Sequence, residues 1–165
     1  MPWFLYLFLS IFYLVGFGLL AGGIWGAYWS TAAESWSVAP GKILRAELKE
    51  SGDSDGSTWA VEVEYTYTVG GVAYSGDRLA FAYAASSDQE AHLAVLKKLQ
   101  GAKQVDVRYD PADPASSCLS YGIHNSIRIL FVFAVTWLAF IFGFTLLMLL
   151  GHGEDTVLLE NLVVK

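Results

Sequence analysis

Residues Trp59 to Val69 read W-A-V-E-V-E-Y-T-Y-T-V. Trp59, Val61, Val63, Tyr65, Tyr67 and Val69 share one phase, and Ala60, Glu62, Glu64, Thr66 and Thr68 share the other. Successive side chains of a strand point to opposite faces, so this alternation predicts a half-buried β-strand. Gly70-Gly71 follows. A two-residue hairpin loop needs positive φ at both positions, which glycine adopts without strain. The return strand starts at Val72-Ala73-Tyr74-Ser75 and is expected to run past a bend at Gly76, through Arg78 to Tyr83. Before the central strand, Lys42 to Glu50 reads as another, set apart by the flexible run Gly52-Asp53-Ser54-Asp55-Gly56-Ser57.

Downstream, Ser87-Asp88-Gln89-Glu90 has the spacing of a capping box. Ala91, Val95 and Leu99 line one helical stripe with Leu96 beside it, and Gly101 suits the helix end. A strand at Gln104 to Tyr109 should stop at Asp110-Pro111, where proline lacks the amide donor. Ser117 to Tyr121 is a last short strand. This order of three strands, one helix and two strands fits a small antiparallel β barrel or folded sheet, as in OB-like barrels.

Farther out, the composition changes. The chain is 55% hydrophobic and only 16% charged, against about 25% charged in ordinary soluble domains. No charged side chain lies between Pro2 and Ala33, nor between Ile129 and Gly151. A bilayer core about 30 Å thick needs roughly 20 residues of helix, so both runs predict transmembrane helices. The resulting plan is membrane α plus β: a first helix in 1–33, a soluble β-rich domain in 34–122, a second helix in 123–151 and a short tail in 152–165. The first run lacks an amino-terminal Lys or Arg and exceeds the usual signal-peptide apolar stretch of about 7–15 residues, so a retained helix is expected. Trp3 and Tyr6 at one end, and Trp25, Tyr28 and Trp29 at the other, suit the two headgroup levels.

Gly18, Gly22 and Gly26 recur every four residues, and the second helix offers Ala139 and Gly143 at the same spacing. Small residues in register allow close helix approach, so these five are the expected packing face, toward the other helix or a second copy of the chain. Neither helix carries an ionisable residue at its centre, which argues against a transporter or channel acting alone. Lys42, Arg45 and Arg128 flank the membrane on the domain side, and only the amino terminus and Lys165 lie outside. The intervening loop exceeds the roughly 60 residues over which positive residues set orientation, so the side of the β domain is left open.

The net charge is −6 and there is no Lys/Arg cluster, which excludes the basic face of a nucleic-acid binder. His92, His124 and His152 have no metal-ligand spacing, and the lone Cys118 forms no pair. Asp53 and Asp55 lack the calcium-loop pattern. Asp110 and Asp113 read as turn caps, and Glu62 and Glu64 as the solvated face of a strand. No phosphate loop or nucleophile motif occurs. No catalytic residue, cofactor, metal or small-molecule substrate is therefore assigned. Trp36, Trp59, Tyr65, Tyr67, Tyr74, Phe81, Tyr83, Tyr109 and Tyr121 supply many rings, most of them for the core.

Four pieces of sequence stand out together. They are Trp36 to Gly41 after the first helix, Tyr65-x-Tyr67-x-Val69-x-Gly71-x-x-Tyr74, Tyr109-Asp110-Pro111-x-x-Pro114, and Leu119-Ser120-Tyr121-Gly122 before the second helix. Over residues 34 to 122 the chain resembles a bacterial membrane family, the domain of unknown function three-five-nine-two. Ser37 departs from the Pro that often follows the Trp in that family. The resemblance implies a two-pass protein of the bacterial cytoplasmic membrane with an anchored β domain, and implies no activity. With the lipid bilayer as one partner, the expected function is a non-enzymatic interaction module that binds another protein or itself. The alternatives are an immunity-type protein that captures a toxin, for which the 13 acids against eight basic residues in 34–126 speak, and a membrane-surface enzyme or ligand-binding barrel.

Overall fold

The computed structural model describes residues 3–53, 56–151, 157 and 160–163. Asp55, His152, Lys165 and most of the 152–165 tail lie outside the described residues. The elements run α1 (Trp3–Ala32), a 3₁₀ turn (Ala33–Ser35), β1 (Ser37–Asp53), β2 (Gly56–Val69), β3 (Val72–Gly76), α2 (Gln89–Gln100), β4 (Val105–Tyr109), β5 (Ser117–Cys118) and α3 (Asn125–Leu150). α1 and α3 are long and apolar enough to cross a membrane, and only 11% of each apolar window is buried. A core helix of a soluble protein would hide such a surface; here it is left for lipid. The chain is a two-pass membrane protein on these grounds.

The strands form one antiparallel sheet in the order β3-β2-β1-β4-β5. β3 and β5 are its two ends and do not pair, so of the two expected forms, barrel or folded sheet, the domain is the open sheet. Closure needs strands long enough to meet across the curl, and β3 ends at Gly76 while β5 is two residues long. Gly70 and Gly71 turn the β2–β3 hairpin with φ of 57° and 84°.

β1 changes phase once. Ala39, Gly41 and Ile43 face the core before Leu44, and Ala46 and Leu48 face it after. A register shift between Ile43 and Arg45 inserts Leu44 as a bulge, which flips the alternation by one residue and leaves Leu44 59% exposed. Pro40 is tolerated because β1 pairs there with β4 only; β2 joins at Gly41.

One face of the sheet carries the core: Ala39, Val61, Val63, Tyr65, Tyr67 and Val107, closed by Leu79 of the β3–α2 loop and Leu96 of α2. Asp88 caps α2 by accepting the Ala91 N–H at 3.1 Å; the cap is one residue later than the capping-box spacing implies. The opposite face is solvated and laced by Lys49–Glu62 at 2.6 Å and Arg45–Glu47 at 2.7 Å, exposed pairs worth little in stability.

By internal contacts the described chain falls into two compact units, one of residues up to Ala21 and from Phe131 on, the other Gly22–Leu130. In the first, Phe12 stacks on Trp137 with centroids 5.7 Å apart. The Trp137 indole N–H donates to the Phe12 carbonyl at 3.0 Å, and Tyr13 and Thr145 share a hydroxyl bond at 3.1 Å.

Candidate functional site

The conspicuous constellation lies where the β domain meets its own helix ends, wholly inside the Gly22–Leu130 unit. Ser30 Oγ donates to the Gly122 carbonyl at 2.8 Å, and the Gly122 N–H donates to the Ser30 carbonyl at 2.8 Å. This reciprocal pair ties the chain's entry into the domain to its exit. Ser30 is fully buried, so the pair is shielded from water and holds its strength. Beside it Trp29, Trp36 and Phe81 pack ring against ring, with centroids 5.6–6.2 Å apart. Arg78 lies over Phe81 at 4.4 Å and Arg108 over Tyr121 at 4.1 Å. Arg108 also donates to the carbonyls of Glu34 at 2.6 Å and of Ala33 and Trp36 at 3.4 Å. These carbonyls lie at a helical end, where acceptors lack intrahelical partners; Ala33 also takes the Trp36 N–H at 3.3 Å, and one Arg108 nitrogen serves all three and complements the dipole.

A second group fixes the loop between β3 and α2. The Val61 N–H donates to Tyr83 Oη at 3.0 Å, Tyr83 Oη meets His92 Nδ1 at 2.6 Å, and His92 Nε2 meets Ser86 Oγ at 2.8 Å. One tautomer completes the chain of bonds: the phenol donates to Nδ1 while Nε2 donates to Ser86 Oγ. His92 is 5% exposed, and no carboxylate joins the chain of bonds. The arrangement is a polar latch between β2, the loop and α2. Replacing His92 with Leu strands the Tyr83 and Ser86 hydroxyls. We expect a loss of about 1–3 kcal/mol and roughly tenfold faster hydrogen exchange at Trp59 and Ser86, which bridge each other. Unchanged exchange at these two amides would show that the latch is incidental.

The residues of those four motifs come together. Tyr65 is fully buried; its hydroxyl donates to the Arg78 carbonyl at 3.2 Å and meets Ser117 Oγ at 3.1 Å. Tyr67 stacks on Tyr74 and Tyr109, and its hydroxyl donates to the Pro114 carbonyl. Asp110 accepts the Ala112 N–H at 2.9 Å and shapes the Asp110-Pro111 turn. Trp36 belongs to the junction, Gly41 lies so close to Val107 and the Thr66 carbonyl that a Cβ would clash, and Gly71 is in the hairpin. The expected strand from Gly76 to Tyr83 is absent, because this segment leaves β2 to reach α1. Ala82 has φ 56° and its Cβ sits where a Cβ on Gly26 would be. The amides of Leu119 and Ser120 bond to Leu79, so β5 ends at Cys118 instead of reaching Tyr121.

The glycine stripe is divided. A Cβ added at Gly18, Gly22 or Gly143 would have nothing within 4 Å, and Ala139 is exposed. The contact between the helices instead uses Gly16, over Leu138 and Trp137. Bulky Phe12 and Trp137 set that interface, and Gly16 is one helical turn from Phe12. Gly26 serves loop docking. The stripe therefore does not hold α1 to α3.

Cys118 is fully buried, and burial pushes its thiol up to about 11. The thiolate is the reactive form, so we expect no labelling by iodoacetamide near neutral pH until the domain is unfolded. Rapid labelling of folded protein would place the thiol outside the core.

The tyrosine hairpin and the Pro turn thus pack as one system. The family model "Domain of unknown function (DUF3592)" matches residues 39–124, over half the chain. The chain belongs to this family. No curated protein matches it, and no solved structure does. The DUF3592 match begins inside β1 and ends at His124, and so takes in the sheet, α2 and the return to α3.

Proposed function

We propose that this protein is a non-enzymatic, membrane-anchored interaction module of the bacterial cytoplasmic membrane, whose β domain is held firmly to its helix ends. The observation that supports this is the junction. Ser30 and Gly122 bond reciprocally, Arg108 ties three carbonyls of the turn that follows α1, and Ala82 wedges against Gly26. A domain fastened in this way to its own entry and exit segments holds its solvated sheet face in one conformation, which lowers the ordering cost of binding a partner. Among the described residues, no cluster of potential metal ligands occurs and every buried side-chain polar atom has a hydrogen-bond partner. Such full satisfaction suits a scaffold.

Crosslinking in native membranes, with the attached chains identified by mass spectrometry, tests the reading. A recurrent partner or a homodimer is expected. Recovery of monomer alone across crosslinkers of different reach would overturn it.

A further inference from the structure

β3 leaves β2 where Gly76 pairs with Tyr65, and the loop backbone pairs with the β2 backbone again at Ser86, bridged to Trp59. Between these points the loop arcs away and leaves a groove of about 590 Å³ bordered by Arg45, Glu62, Glu64, Asp77, Arg78 and Ala82. Small-molecule sites run from about 300 to 1,000 Å³. The groove also has a defined level. Ala82, on its border, lies against Gly26 of α1, next to Trp25, Tyr28 and Trp29. Tryptophan and tyrosine gather at the headgroup level of a bilayer, so this end of the groove stands at that level.

Its charges are of two kinds: Arg45 is held by Glu47 and Glu62 by Lys49, which leaves Asp77, Arg78 and most of Glu64 available. The Arg78 guanidinium is stacked on Phe81, and only one of its nitrogens reaches a protein acceptor, the Ser117 carbonyl at 3.4 Å. Asp77 has no ion pair among the described residues, and Glu64 is reached only by Arg45 at 3.8 Å. A cation beside available carboxylates complements a zwitterion that carries a phosphate and an amine. Guanidinium binds phosphate through two parallel N–H bonds. A primary ammonium can donate to carboxylates. A quaternary ammonium cannot, and it favours an aromatic cage; Tyr83 is the only ring on the groove's border.

We propose that the groove binds a phosphoethanolamine group, its phosphate on Arg78 and its ammonium on Asp77 and Glu64. The group belongs to a lipid headgroup or to a free phosphoethanolamine, and the experiment separates them. Full-length protein is placed in nanodiscs of phosphatidylcholine, with phosphatidylethanolamine or soluble phosphoethanolamine added, and deuterium uptake is followed at residues 61–64 and 77–83. Reduced uptake with the ethanolamine lipid supports the lipid source; reduced uptake with the soluble compound alone supports the free one. Arg78→Gln and Asp77→Asn should each weaken half-saturation about tenfold, the loss of one charge-assisted contact. Asp77 is exposed and has no ion pair among the described residues, so its variant decides even if Arg78→Gln disturbs the stack on Phe81. No protection from either form, protection equal with phosphatidylcholine alone, or undiminished protection in Asp77→Asn overturns the proposal.

Discussion

Gly16→Leu separates the two membrane helices, whereas Gly22→Leu leaves them paired. A Cβ at Gly16 would fall within 2.9 Å of Leu138 and Trp137 side-chain atoms, and a leucine there must push α3 away. Helices in lipid gain nothing from water exclusion and associate through close packing. Overpacking costs about 1–3 kcal/mol, and the displaced Trp137 also loses its bond to the Phe12 carbonyl. At Gly22 a side chain enters open space. Gly26→Leu has a third outcome: it displaces the loop at Ala82 and spares the Phe12–Trp137 contact. Cysteines at Tyr13 and Thr145, in a Cys118→Ala background, report pairing through a short thiol crosslinker. We expect yield to drop about tenfold for Gly16→Leu and to hold for Gly22→Leu. Equal yields in the two variants would return the glycine stripe as the packing face.

Tyr65→Ala should unfold the β domain, and Tyr65→Phe should weaken it with a change in its alkaline behaviour. Tyr65 is the largest fully buried side chain. Its removal leaves a cavity worth about 3–5 kcal/mol, a large part of the 5–15 kcal/mol that ordinarily separates folded from unfolded. Phenylalanine keeps the volume and strands the Ser117 hydroxyl and the Arg78 carbonyl, at about 1–2 kcal/mol.

The pH dependence follows from the same burial. Desolvation pushes the Tyr65 phenol up to about 12, above the roughly 10 of an unfolded tyrosine. The protonated form is thus favoured by folding. Its contribution, on the order of 2 kcal/mol, is complete below about pH 10 and fades as pH climbs toward 12. Burial also raises Tyr67 and Tyr83, so the wild-type decline sums several tyrosines. Denaturant unfolding across this range should show a shallower decline for Tyr65→Phe. Parallel curves for the two proteins would mean that Tyr65 does not titrate from a buried site.

How much of this was legible beforehand depends on the range of the interaction. β2 was readable because all eleven residues from Trp59 to Val69 keep one alternation. β1 was only partly readable: Leu44 shifts the phase midway, and a bulge has no local signature. His92 could be seen to lack metal partners, yet its real partners, Tyr83 and Ser86, are hydroxyls brought to it by the path of a loop. Arg108 was invisible as a helix cap, since it lies more than 70 residues from the carbonyls it serves.

By itself the sequence determined two membrane helices, the β2–β3 hairpin, α2 and the DUF3592 pattern of aromatic residues and turns. Each rests on hydropathy, period or turn chemistry, which act within a few residues. Only the tertiary structure decided that the sheet stays open, that Gly16 and not Gly18 or Gly22 meets α3, and that Gly26 receives a loop. A glycine records that space is needed and not which neighbour fills it. The choice follows from where Leu138, Trp137 and Ala82 come to rest, and packing over long sequence separations sets those positions.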